Sequence, residues 1–281
     1  MSESLEKALY IVPTPIGNMK DVTERAVEVL CGADVICAED TRHSLPFLEH
    51  IGVKSPKLIS FHDHNEAEKA EITAEKIENG ETLALISDAG TPLISDPGFH
   101  LVRECVRRGI RVIPLPGPCA VITALSASGM PTDRFCFEGF LPVKEKSLRE
   151  KLTNMKKETR TMVFYETPRR MPDTSLILGE IFGDREVCVG REMTKTFETF
   201  YHTTAAKLHD VLQTDKSSEK GEMVLIVAPY REEEHAGAVV PDDALNLIAL
   251  LKEELPPRKV AEITAKMFNL RKNDLYQLIS K

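Results

Sequence analysis

Short apolar runs that end on loops rich in glycine, proline, aspartate and threonine constrain this chain most. Ala8-Leu9-Tyr10-Ile11-Val12 stops at Pro13-Thr14-Pro15-Ile16-Gly17-Asn18, and Leu83-Ala84-Leu85-Ile86 runs into Ser87-Asp88-Ala89-Gly90-Thr91-Pro92. Val112-Ile113-Pro114-Leu115 passes into Pro116-Gly117-Pro118 in the same way. Runs of this length between turn residues read as buried strands. Ala33 to Ala38 is another, ending in Glu39-Asp40-Thr41-Arg42-His43, and Leu58-Ile59-Ser60-Phe61 a further short one. Helical patterns separate them. Val22, Ala26, Val29 and Leu30 share one face behind Asp21 as N-cap; a charged helix over 65–79 closes at Gly80; another runs from about Gly98 to Arg108. The alternation predicts an α/β class with a largely parallel sheet, whose ligands sit beyond the carboxyl ends of the strands.

A second α/β unit follows Pro118. It has a helix near 119–128, a basic segment over 144–160, and strands at Thr161–Tyr165, Glu186–Val189 and Met223–Ala228. Residues 230–243, with Glu232, Glu233 and Glu234 in a row, read as a linker. Helical patterns at 242–254, 258–268 and 272–280 surround the Pro256-Pro257 break. The expected organisation is an N-terminal α/β lobe over 1–116, a C-terminal α/β lobe over 117–230, and a linker with a small helical domain over 231–281.

With 281 residues, 42% hydrophobic and 28% charged, the chain can bury a sizeable core. Its charged start lacks the apolar core of a secretory signal, and prolines interrupt the most apolar stretch, Val112–Met130. A cytoplasmic protein without a membrane segment is expected. The six cysteines form no Cys-x-x-Cys pair and mostly sit in apolar runs, which suits reduced, buried thiols. A net charge of −8 and the absence of tryptophan disfavour indiscriminate nucleic-acid binding and a grip based on base stacking. A local basic face stays open: Lys144, Lys146, Arg149, Lys151, Lys156, Lys157 and Arg160 stand against Glu145, Glu150 and Glu158, with Arg169, Arg170, Arg191 and Lys195 in the same lobe. Such a run is either a solvated helix face or a phosphate-tracking surface. The tail, with Arg258, Lys259, Lys266, Arg271 and Lys272, has the outline of a helix-turn-helix unit without its usual turn glycine.

No Gly-x-Gly-x-x-Gly and no phosphate loop are present, so nucleotide-cofactor readings lose their usual support. Three glycine- and proline-bearing loops at strand ends suggest a binding cleft instead. Asp88 and Asp96 either cap turns or face a polar or cationic part of a ligand. The cluster Glu39 to His43 could do acid–base work or form a self-satisfied ion-pair group. His62-Asp63-His64 with His43 and His50 invites a metal reading, but spacing gives it little help, and no metal is expected.

Pro13-Thr14-Pro15-Ile16-Gly17-Asn18, Glu39-Asp40-Thr41-Arg42, Ser87 to Gly98, Pro114-Leu115-Pro116-Gly117-Pro118, Phe140-Leu141-Pro142, Phe164 to Arg170 and Arg191-Glu192-Met193-Thr194-Lys195 occur in this order over residues 8–228. In that order they resemble the tetrapyrrole methylase superfamily, in its bacterial ribosomal RNA small subunit methyltransferase I group. The resemblance implies two α/β lobes with S-adenosylmethionine between them. It implies transfer of methyl to the ribose 2′-oxygen of a cytidine in the decoding region of small-subunit (16S) ribosomal RNA, free or within the 30S subunit, by a homodimer. By position the cofactor would meet Pro13, Ile16 and Gly17; Asp88, Gly90, Thr91 and Ile94; Pro116, Gly117, Cys119 and Ala120; and Tyr165. Glu39 or Asp40 would act as base, with Arg42 and Lys195 as electrostatic partners. RNA would be held by Lys144, Lys146, Arg149, Lys151, Lys156, Lys157, Arg169, Arg170 and the helical tail. Two departures stand out. Porphyrin-modifying relatives carry Gly-Asp-Pro where this chain has Gly90-Thr91-Pro92, and Cys119 replaces a common serine. The rival readings are a corrin or porphyrin methyltransferase of the same superfamily and a non-catalytic RNA-binding assembly factor.

Overall fold

The computed structural model describes residues 5–61, 66–232, 240–268, 270 and 272–280. Two compact units divide the chain at Tyr230. The first holds two five-stranded sheets. β1 (Leu9–Ile11), β2 (Val35–Ala38), β3 (Leu58–Ser60), β4 (Leu83–Ile86) and β5 (Val112–Pro114) form a parallel sheet in the order β3-β2-β4-β1-β5. Along these strands the alternation of side chains supplies two cores. Tyr10, Ile36, Ala38, Ala84 and Ile86 pack against α1 (Glu24–Gly32) and α2 (Thr41–His50). Leu9, Ile11, Val35, Cys37, Leu83 and Leu85 pack against α3 (Glu66–Glu78) and α4 (Phe99–Arg107).

Two local expectations are corrected here. Thr23, not Asp21, caps α1: its hydroxyl accepts the Ala26 N–H at 3.1 Å, while Asp21 closes a 3-10 turn begun by Asn18. The segment after Glu39 is a helix rather than a loop. Asp40 caps it, accepting the Arg42 N–H at 2.9 Å, and Pro46 inside it masks the periodicity.

The second sheet runs β6 (Phe135–Phe140), β7 (Thr161–Glu166), β10 (Met223–Val227), β8 (Glu186–Arg191) and β9 (Thr199–Thr204). It is mixed: β6 and β7 are parallel, and the other pairs antiparallel. β6 and β9 escape the sequence reading because they are partly exposed edge strands: β9 is mostly polar, and β6 is broken by Glu138 and Gly139, with a register shift between Phe137 and Phe140. One face packs on α6 (Glu145–Asn154), α7 (Met171–Phe182) and α8 (Ala205–Thr214). The other receives α5 (Ala120–Ala127), whose Val121, Ala124 and Leu125 meet Val163, Val224 and Ile226. The third glycine-proline loop therefore leads from the first sheet directly onto the second. Cys37, Cys105, Cys136 and Cys188 are buried; Cys31 is exposed and Cys119 half-buried.

The second unit contains α9 (Asp242–Leu251), α10 (Pro257–Phe268) and α11 (Lys272–Ile279) around Ile248, Val260, Ala261, Leu275 and Ile279. Glu233 and Glu234 of the expected linker lie outside the described residues, as does Arg271.

Candidate active site

β4, β1 and β5 are neighbours, so their following loops emerge side by side. The loops are laced pairwise. Thr14 and Gly90 exchange backbone hydrogen bonds at 2.9 and 3.0 Å, and the Thr91 hydroxyl donates to the Pro118 carbonyl at 2.8 Å. Gly117 lies so close to Pro13 that an added Cβ would stand 2.7 Å from the Pro13 Cβ. Leu93 and Ser95 adopt positive φ angles of 72° and 71°, a strained conformation for such residues. The loop after β8 repeats the pattern at Glu192 (50°) and Thr194 (68°).

That second-lobe loop meets the first lobe at Gly17, where an added Cβ would stand 2.6 Å from Lys195 Cγ. The Lys195 ammonium donates to Glu192 at 2.8 Å and to Glu222 at 3.0 Å. Burial pulls the lysine pKa down, but these two carboxylates outweigh it and leave it above the ordinary value. Lys195 is accordingly a fixed cation at neutral pH. Glu192 is held below the usual carboxylate range, first by its bond to Lys195.

Two cavities of about 360 Å³ each open here. The first has mostly apolar walls, with Ile16, Ala89 and Ala120 from the first-lobe loops and α5, and Tyr165, Met193 and Val224 from the second lobe. Exposed Phe140 and the Tyr165 ring form its aromatic wall, edge to face at 5.4 Å. Burial first, then Cys119, Asp96 and Glu222, push the Tyr165 hydroxyl above its ordinary pKa, so it remains a phenol. Buried Glu166 also borders this cavity, accepting the Thr174 hydroxyl at 3.0 Å with Arg170 at 3.3 Å. The second cavity lies on the first-lobe side of Lys195, among Gly17, His43, Ser44, Asp88 and Glu222.

The structure thus brings Ile16, Ala120 and Tyr165 to the first cavity, and Gly17, Asp88 and Lys195 to the second. Pro13, Gly90, Thr91 and Gly117 make or tightly border the contacts that hold the loops together. Cys119 sits at the N-cap of α5, its carbonyl accepting the Thr123 hydroxyl at 2.9 Å; Pro116 immediately precedes Gly117, and Ile94 is exposed. Asp40 faces its own helix: its carboxylate takes Arg42 at 3.0 and 3.2 Å besides capping α2, and the arginine holds its pKa at about 2. Such a carboxylate is a weak base. Asp40 reaches the second cavity through its N–H, which donates to Asp88 Oδ1 at 3.2 Å. Glu39 and Arg42 line neither cavity, and Arg42 points into solvent. Glu222, from a turn with no motif of its own, is the site residue that sequence reasoning overlooks; only pairing of β10 with β7 and β8 brings it here.

Of the basic residues, Arg149 pairs with Glu145 and Glu180, Lys151 with Glu138, and Arg170 with Glu166 and the carbonyls of Leu141 and Pro142. Lys144, Lys146, Lys156, Lys157 and Arg169 are exposed and form no ion pair with the described residues. In the second unit Lys259, Lys266 and Lys272 surround Glu262. Among the described residues no group of three or more metal-ligating side chains occurs; His62, Asp63 and His64 lie outside them.

A family model described as Tetrapyrrole (Corrin/Porphyrin) Methylases matches residues 8–209, and one described as RsmI C-terminal HTH domain matches 238–280. The chain is 52% identical over 270 residues to the ribosomal RNA small subunit methyltransferase I of Haemophilus influenzae, covering 96% of this chain and 95% of that one. It is 49% identical to the protein of that name from Escherichia coli O157:H7, over 98% of this chain and 96% of that one. Solved structures of similar fold include diphthine synthase (TM-score 0.59, 12% identity, 78% of this chain and 89% of that one) and the methyltransferase CobJ (0.58, 18%, 80% and 96%). At such identities the likeness is one of fold. The laced loops, the two-lobed cleft and the near full-length matches agree: this chain belongs to the tetrapyrrole methylase family, in its ribosomal RNA small subunit methyltransferase I branch.

Proposed function

We propose that this chain uses S-adenosylmethionine to methylate the ribose 2′-oxygen of a cytidine in the decoding region of small-subunit ribosomal RNA. The observation that carries this reading is the near full-length match, at about half identity, to proteins named for methylation of that RNA. The first cavity supports the donor: its volume lies within the usual range for small-molecule sites, and its apolar walls with Phe140 and Tyr165 suit an adenosyl group beside a sulfonium. Ile16, Ala120 and Tyr165 would line that group, while Pro13, Gly90, Thr91, Ile94, Pro116, Gly117 and Cys119 would shape the loops around it.

The bound sulfonium supplies an already activated methyl, so the protein's part is mainly alignment, worth up to ~7–11 kcal/mol in well-oriented cases. Lys195, fixed between Glu192 and Glu222, places a cation where charge develops on the attacking oxygen. Asp40 orders the start of α2 and holds Asp88, and solvent-facing Arg42 is available to phosphate. Lys144, Lys146, Lys156, Lys157 and Arg169 form a basic surface for RNA, and the C-terminal helices bind RNA as well.

The chain acts in the cytoplasm as a homodimer in this reading. No described helix is long and apolar enough to cross a membrane. Phe99 and Val106 stand 58% and 66% exposed on one stripe of α4, two turns apart, which supports self-association. The deciding experiment is transfer of radiolabelled methyl to small subunits, and to free RNA, lacking the modification, followed by mapping. Label on a ribose oxygen of a decoding-region cytidine is expected. Label on a base or on no RNA overturns the reading.

A further inference from the structure

The second cavity, on the first-lobe side of Lys195, carries among its mostly apolar walls the side chains of His43 and Ser44, which the roles above leave unused. It shares Ile16, Ala89 and Glu222 with the first, so the occupants of the two would be neighbours. Lys195 cannot take a proton, since its ammonium is held between two carboxylates. Asp88 is anchored through Oδ1, which accepts the Asp40 N–H at 3.2 Å. Its other oxygen, Oδ2, stands 3.7 Å from His43 Nδ1. A carboxylate beside one ring nitrogen fixes the tautomer and leaves the other nitrogen as acceptor, and such contacts tighten when substrate binds. The His43 ring is 65% exposed and borders the cavity. Next to it on α2, buried Ser44 has a hydroxyl with no partner among the described residues.

We infer that the second cavity receives the target ribose and that His43, oriented by Asp88, is the general base for its 2′-hydroxyl. The inference rests on the proposed methyl transfer and names the proton acceptor that transfer requires. The 2′-O–H bond breaks and its proton passes to His43 Nε2. The oxygen's electron pair forms the bond to the methyl carbon, and the sulfur–methyl bond breaks with its pair left on sulfur. The positive charge lost by sulfur is matched by that gained on the imidazole, which then lies beside the Asp88 carboxylate. Asp88 faces the ring from the loop after β4, Asp40 and Arg42 stand at the start of its own helix, and Lys195 and Glu222 lie across the cavity.

The test compares full-length wild type, His43→Ala, His43→Gln and, as a control at the far end of α2, His50→Ala. Turnover on unmodified small subunits is followed from about pH 5 to 9, with and without added imidazole, and S-adenosylhomocysteine binding is measured by calorimetry. Both His43 variants should lose about 10²–10⁴-fold in kcat and the rise of rate with pH near neutrality. Imidazole should partly restore His43→Ala, with S-adenosylhomocysteine affinity unchanged and His50→Ala behaving as wild type. Retained turnover or a retained acid limb in His43→Ala overturns the inference while leaving the methyl transfer intact. Loss of S-adenosylhomocysteine binding in parallel with turnover also overturns it, making His43 a binding residue. A wild type that transfers no methyl brings down the functional reading and this inference together.

Discussion

Gly17 leaves no room for a side chain. A Cβ there would press on Lys195 and on the Thr194 hydroxyl at 2.9 Å, in a backbone conformation (φ 152°) that other residues rarely adopt. Gly17→Ala should therefore displace Lys195 and lower turnover about 10²-fold, the scale of a 1 Å misplacement. Structural damage alone is the reading if Lys195→Ala leaves turnover intact. Lys195→Ala should itself cost about 10²–10³-fold in kcat if the ammonium stabilises the oxyanion. The pH dependence has a definite sign. Because its folded pKa is raised, the Lys195 contribution is complete below the ordinary value of 10.5 and is lost only as pH rises through the higher folded value. A fall in rate between pH 8 and 10 that is absent in Lys195→Arg would contradict this.

At the scale of elements, α4 is tied to α3 by a charged cluster. Glu104 accepts Arg107 at 2.5 Å and Arg108 at 2.6 Å, and Arg108 also donates to Glu78 at 2.9 Å. Arg107, then Arg108, hold the Glu104 pKa at about 2; Arg160 does the same for Glu158 beside β7. Depressed carboxylates contribute stability above their unfolded pKa near 4.5 and lose it as pH falls toward about 2. Thermal melts should accordingly drop over that window, and Glu104→Gln should show a smaller drop than wild type. Equal drops would remove the cluster from the acid response. The segment around α6 makes a separate prediction. Replacing Lys144, Lys146, Lys156 and Lys157 with alanine should reduce the slope of log affinity against log salt by about 3, if each contacts one phosphate. An unchanged slope would leave these lysines as a solvated face.

Across the whole molecule, residues 1–230 and 231–281 each have their own core. A chain ending at Tyr230 should bind S-adenosylhomocysteine with unchanged affinity and melt as the full chain's larger unit does, while losing RNA affinity. Lost donor binding would show that the helical unit supports the cleft. Sedimentation should give twice the 31.4 kDa chain mass, and a single species at 31.4 kDa would remove the dimer.

The sequence alone determined what is local. Apolar runs and their turn residues placed all five strands of the first sheet, since a buried parallel strand needs a short continuous apolar run and its ligand loop needs glycine and proline. The motif order also disclosed the family. Tertiary structure decided what depends on chain segments far apart. The edge strands β6 and β9 have no apolar run as long, because each is partly exposed: β6 keeps only Phe135-Cys136-Phe137 before Glu138 and Gly139, and β9 is mostly polar. The adjacency of β4, β1 and β5 brings three loops into one site, and Glu222 reaches Lys195 from 27 positions away. By its motif Asp40 is a candidate catalytic base, but α2 begins at it, and the free N–H groups of a helix start draw its carboxylate inward. That same helix start carries His43 to Asp88, a pairing set by the neighbouring of β2 and β4 rather than by any spacing along the chain.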